Sequence, residues 1–109
     1  MTLELLYLAG CPHHDEAVDL VKSVLEAEGI PAGVQQILIR NPEDADAHRF
    51  PGSPTVRVNG QDIEGLSADR LGIGFACRTY FAEGKAHGVP PRSWLEVAVR
   101  AARNEEEHR

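Results

Sequence analysis

Apolar residues occupy both parities of Leu3 to Leu8 (Leu-Glu-Leu-Leu-Tyr-Leu), the pattern of a strand covered on both faces. Gly10 ends that run. From Pro12 to Glu28 the period changes: Ala17, Leu20, Val21, Val24 and Leu25 recur at spacings of three and four, one face of a helix. Pro12 suits its first turn, Asp15 and Glu16 complement the positive end of its dipole, and Gly29 terminates it before Pro31. Val34 to Ile39 is a second strand. Asn41-Pro42-Glu43-Asp44 supplies a capping residue, a first-turn proline and two acids, which predicts a short helix over 42–48.

Pro51-Gly52-Ser53-Pro54 then punctuates the chain. Thr55 to Val58 is rich in β-branched residues, and Asn59-Gly60 is a strong hairpin signal, so a partner strand begins near Gln61 and includes Ile63. Gly65 to Gly74 has no clear period; Leu66, Leu71 and Ile73 fit a helical turn or an ordered loop. Phe75 to Ala82 reads as extended. Ser93-Trp94-Leu95-Glu96 fits a capping box, with Trp94, Leu95, Ala98, Ala101 and Ala102 as the buried stripe of a last helix. This order predicts an α/β fold: a mixed four- to five-stranded sheet, parallel near its start, with helices on both faces.

At 109 residues the chain makes one domain over 1–109, with the charged tail 104–109 expected to fray. A net charge of −6 argues against nucleic acid or an anionic membrane as partner, because phosphate contacts draw on clustered Lys and Arg. The apolar run from Leu5 to Gly10 is far too short to span a bilayer, and Met1 to Glu4 lacks the basic region of a secretory signal. A cytoplasmic domain without a cofactor is the expectation. Two cysteines make no disulfide scaffold, though they suffice for one bridge.

The chemistry concentrates in Cys11-Pro12-His13-His14, between the first strand and the first helix. The orphan amides and partial positive charge of a helix start favour thiolate over thiol at Cys11. His14, three residues on, shares a helical face with Cys11 and offers a positive partner or a hydrogen bond, while Asp15 and Glu16 act in the opposite sense. The plainer alternative is a small buried cysteine beside solvated histidines. Cys11 with His13 and His14 is also an inventory for a soft metal, although the spacing matches no zinc-finger pattern and no metal site is assigned. His48 and His87 read as solvated loop residues, and Arg78 with Tyr80 as packing on the face opposite Cys77.

Gly10-Cys11-Pro12 at a strand–helix junction is followed by Gly52-Ser53-Pro54-Thr55-Val56, a hairpin, Cys77-Arg78-Thr79-Tyr80 and a last helix. Over residues 3 to 103 this resembles the thioredoxin-like superfamily, in particular its small bacterial members. The resemblance implies a thioredoxin-like fold with a cis peptide at Ser53–Pro54 beside the active thiol. It also implies thiol–disulfide exchange with a protein or small-molecule thiol or disulfide. Cys11 would be the catalytic nucleophile, with His14 as its helper. Pro12, Ser53, Pro54 and Thr55 would position the substrate, and the backbone at Ser53 would be free to pair with an extended partner.

The chain departs from that family where His14 replaces the second cysteine of Cys-x-x-Cys. Exchange would stop at a mixed disulfide unless another thiol attacks it: a small thiol, a partner protein or Cys77. The alternative function is a non-catalytic binding module of the same fold, with a soft metal on Cys11 and His13 or His14 as one version. Cys77 itself has three readings: a buried core cysteine in a strand, a resolving or disulfide partner of Cys11, or a metal ligand. If Phe75 to Ala82 closes the hairpin as an antiparallel strand, Cys77 lies away from the Pro54 end; if the 65–74 loop folds over that end, the two cysteines are adjacent. Ile63-Glu64-Gly65 weakly resembles the glutaredoxin segment that holds a glutathione carboxylate, with the charge of Glu64 standing against it.

Overall fold

The centre of the sheet is β1 (Leu3–Leu8), whose apolar residues fall on both parities. In the computed structural model, which describes residues 1–108, β1 pairs in parallel with β2 (Val34–Ile39), from Leu3 opposite Val34 to Leu8 opposite Ile39. On its other side β1 runs antiparallel to β3 (Thr55–Val58), with Leu6 opposite Thr55 and Leu3 opposite Val58. β4 (Gln61–Asp62) adds antiparallel to β3, giving the order β2-β1-β3-β4. Asn59 (φ 52°) and Gly60 (φ 80°) both take positive φ, as a two-residue hairpin turn matched to strand twist requires.

Alternation along the strands divides the core into two layers. Leu3, Leu5, Val56 and Val58 face α1 (His14–Ala27) and α3 (Arg92–Glu107), packing on Ala17, Val21, Val24, Leu25, Leu95 and Val99. Leu6 and Ile39 point the other way, onto Ala45 and Phe50 beneath α2 (Pro42–Ala47). Asn41 caps α2 by accepting a hydrogen bond from the Asp44 N–H at 2.8 Å. Each fully buried Leu side chain stabilises this arrangement by about 1.5–3 kcal/mol relative to an exposed one.

Several local features differ from the pattern reading. α1 starts at His14 rather than Pro12, because the His14 N–H donates to the Cys11 carbonyl (3.3 Å) in a tighter turn, and the first regular helical bond is Ala17 N–H to His13 (3.0 Å). α3 starts at Arg92, with Pro91 at its cap and no side-chain capping bond. Glu96 is taken up by Arg92 instead (3.3 Å), which also reaches the Ser23 hydroxyl at 2.9 Å. The buried stripe of α3 is Leu95, Val99 and Ala102, while Trp94 and Ala98 are half-buried and Ala101 is exposed. Of the expected frayed tail, 104–107 are helical and Glu106 pairs with the Met1 ammonium at 2.8 Å; Arg109 lies outside the described residues.

The largest difference follows β4. Gly65–Leu71 forms a 3-10 helix, and the segment expected as one long strand breaks into a bridge at Cys77 and β5 (Tyr80–Ala82). β5 pairs with β6 (Lys85–His87) in a separate two-stranded sheet, turning at Glu83 (φ 55°) and Gly84 (φ 75°). The main sheet therefore holds four strands among the described residues, and Phe75 to Ala82 does not close the hairpin. No described helix is long and apolar enough to cross a membrane.

Candidate functional site

Antiparallel pairing of β1 with β3 places the end of β1 beside the start of β3, so the turn carrying Cys11 leaves β1 at the end that meets Ser53. Leu8 joins the two. Its N–H donates to the Ser53 hydroxyl at 3.0 Å, and its carbonyl accepts from the Cys11 N–H at 3.2 Å across a turn closed by Gly10 (φ 75°). Cys11 is half-buried and Pro12 exposed. The Ser53–Pro54 peptide is cis.

The two histidines diverge from this turn. The His14 ring stacks on Tyr7 (centroids 4.0 Å apart, planes at 24°), with Nε2 2.8 Å from Gln36 Oε1 and Nδ1 3.3 Å from Asp15 Oδ1. His13 goes the other way: its ring lies over Gly88, where a Cβ would stand only 2.3 Å from Nε2, and Nδ1 is 3.6 Å from Glu16. The expected partnership of His14 with the thiol is therefore not what the structure brings together. Because α1 begins at His14, Cys11 belongs to the preceding turn and shares no helical face with it. Among the described residues no hydrogen bond joins either ring to the Cys11 sulfur, and no three His, Cys, Asp or Glu side chains gather as metal ligands.

Ser53 is closed off from solvent. Its side chain and backbone are 1% exposed; its N–H donates to the Ala76 carbonyl and its carbonyl accepts from the Arg78 N–H, both at 2.9 Å. The Gly74 N–H donates to the Phe50 carbonyl at 2.9 Å, so residues 74–78 run alongside 50–53, with Ser53 and Cys77 as a parallel bridge. The backbone expected to be free for an extended partner is occupied by the chain itself. Thr55 also works inward: its hydroxyl donates to the Gly52 carbonyl (2.6 Å) and accepts from Arg78 Nη1 (3.2 Å). Cys77 is neither a strand residue nor buried. It is an exposed free thiol on a loop folded over the Pro54 end, and Cys11 is free as well.

What holds this loop is Arg78, whose role pattern reading missed. At 5% exposure it hydrogen-bonds both carboxylate oxygens of Asp62 (2.6 and 3.0 Å), lies 3.5 Å from Glu64 and places Cζ 4.4 Å from the Tyr80 ring centroid. Burial pulls the guanidinium pKa down, but the Asp62 hydrogen bond and the surrounding negative charge more than offset this, and the net direction is up. Tyr80 donates to the Pro54 carbonyl, and burial pushes its phenol well above the ordinary range. Glu64 also meets Arg70 at 3.6 Å, so its carboxylate is neutralised from two sides. The available signal was Asp62 and Glu64, two acids one residue apart after the hairpin, which need a cation if buried.

In comparisons with protein-family models, curated proteins and solved structures, nothing matches this chain.

Proposed function

We propose that this chain is a thiol–disulfide exchange protein with a thioredoxin-like fold, acting through the single motif cysteine Cys11. The observation that carries the reading is the double engagement of Leu8, which holds the Cys11 turn on one side and Ser53 on the other. A half-buried thiol is thereby fixed at the C-terminal end of a central strand, next to the start of a neighbouring one, where open α/β sheets gather ligands. The order of strands and helices, with α1 and α3 on one face and α2 on the other, is compatible with that fold.

In the proposed step the Cys11 thiolate attacks one sulfur of a disulfide. A bond forms between Cys11 Sγ and that sulfur, the old S–S bond breaks, and the departing thiolate takes up a proton from water. Cys11 and Ser53 are both hydrogen-bonded to Leu8, and among the described residues neither histidine ring hydrogen-bonds the thiol. The test is reaction with bis(hydroxyethyl) disulfide followed by mass spectrometry. A mixed disulfide on Cys11, abolished in Cys11→Ser, is the expected result; a Cys11 that reacts no faster than an unstructured peptide thiol would overturn the reading.

A further inference from the structure

We propose that Cys77 is the resolving thiol, held in place by the chain's own occupation of Ser53, and that the disulfides this protein resolves are small molecules. The inference rests on the assignment of Cys11 as the exchanging thiol. Cys77 sits between two backbone hydrogen bonds, Ser53 N–H to Ala76 and Arg78 N–H to Ser53, so its backbone is fixed at sheet spacing from Ser53 while its side chain remains exposed. The Ser53 hydroxyl holds Leu8, and Leu8 holds Cys11. Both thiol-bearing residues are thus tethered to one residue through three short hydrogen-bonded steps.

The buried Arg78–Asp62 pair makes that tether firm. Arg78 follows Cys77 directly and is anchored to β4 by two hydrogen bonds, while Gly52 admits the Arg78 backbone where a Cβ would lie 2.8 Å from Arg78 Cβ. The segment 76–78 stands where an extended polypeptide would pair with Ser53. A protein substrate cannot use that backbone without displacing a buried ion pair, whereas a small disulfide needs only to reach half-buried Cys11.

The balanced sequence has two steps. Cys11 thiolate attacks R–S–S–R, giving Cys11–S–S–R and one RS⁻. Cys77 thiolate then attacks Cys11 Sγ, releasing the second RS⁻ and closing a Cys11–Cys77 disulfide. The two protein thiols supply both electrons, and the two released thiolates become protonated.

The experiment uses one equivalent of bis(hydroxyethyl) disulfide, with mass spectrometry and titration of released thiol on wild type, Cys77→Ser, Cys77→Ala and Cys11→Ser. Dilute protein keeps exchange within one chain, and thermal melts check that the variants fold. Two released thiols and an internal disulfide in wild type, against one thiol and a persistent Cys11 adduct in both Cys77 variants, are expected. A wild type that stops at the adduct overturns the role of Cys77 and leaves the role of Cys11 standing. If Cys11→Ser consumes the disulfide as wild type does, the Cys11 assignment falls and takes this one with it.

Discussion

Arg78 and Asp62 meet through two guanidinium–carboxylate hydrogen bonds of 2.6 and 3.0 Å, with the arginine side chain 2% and the aspartate 11% exposed. Removing one partner of a buried pair costs about 3–5 kcal/mol, because the other charge stays desolvated. Asp62→Asn is expected to fall at the low end of that range in urea unfolding, since Asp62 keeps some contact with water. Glu64, at 3.5 Å and shared with Arg70, is a weaker partner, so Glu64→Gln is expected to cost much less. Equal losses for the two variants would refute Asp62 as the anchor of the 76–78 segment.

Gly52 and Gly88 both leave too little room for a Cβ, but their neighbours differ. At Gly52 (φ 141°) the obstacles are Arg78 Cβ at 2.8 Å and Arg78 backbone atoms at 3.1 Å, neither of which can rotate away. Gly52→Ala adds backbone strain to that collision and is expected to cost more than about 1 kcal/mol and to expose Ser53 amide exchange. At Gly88 the obstacle is the His13 ring, the end of a side chain that is 42% exposed. Gly88→Ala is expected to swing that ring away within about 0.5 kcal/mol. Urea midpoints of the two variants check the contrast.

Much of this architecture was legible along the chain, for identifiable reasons. β1 and β2, the Asn41 cap and the Asn59-Gly60 turn are local signals, and local physics decides them. The failures sit where tertiary contacts win. Glu96 suits a capping box with Ser93, yet Arg92 claims it and the helix starts two residues earlier. Phe75 to Ala82 has strand composition, but Arg78 is drawn to Asp62, which pulls Cys77 to Ser53 and leaves only Tyr80 to Ala82 for a short hairpin through Glu83-Gly84. The link from Cys11 through Leu8 to Ser53 follows from the order of β1 and β3. The capture of Ser53 by residues 76–78 depends on a non-local ion pair that no spacing encodes.

Tyr80 makes stability sensitive to alkali. Burial pushes its phenol up from the ordinary 10.0, Arg78 pulls against this, and the charges of Asp62 and Glu64 add to the rise. Since the folded value lies above the unfolded one, the contribution is fully present below pH 10.0 and is lost as pH rises through the folded value. Tyr80→Phe leaves the Pro54 carbonyl without its donor and is expected to cost about 1–3 kcal/mol near neutrality. The gap between wild type and this variant should narrow above pH 10.0. A constant gap across that range would show that the phenol ionises alike in both states.

His14 separates a chemical role from a structural one. Its ring is committed to Tyr7, Gln36 and Asp15, and Cys11 lies in the turn before the helix rather than on its face. His14→Phe keeps a ring to stack on Tyr7 while removing both nitrogens. If the geometry governs, the second-order rate of Cys11 alkylation by iodoacetamide changes by less than about threefold, roughly 0.7 kcal/mol in barrier, at every pH. A histidine that supplied the thiolate's positive partner would instead shift the whole pH–rate curve of Cys11 toward alkali on removal. Gln36→Ala completes the comparison, because it frees Nε2 without deleting the ring. A rise in Cys11 reactivity in that variant alone would mean that Gln36 holds His14 away from the thiol, and a flat response would leave the ring as packing for the edge strand.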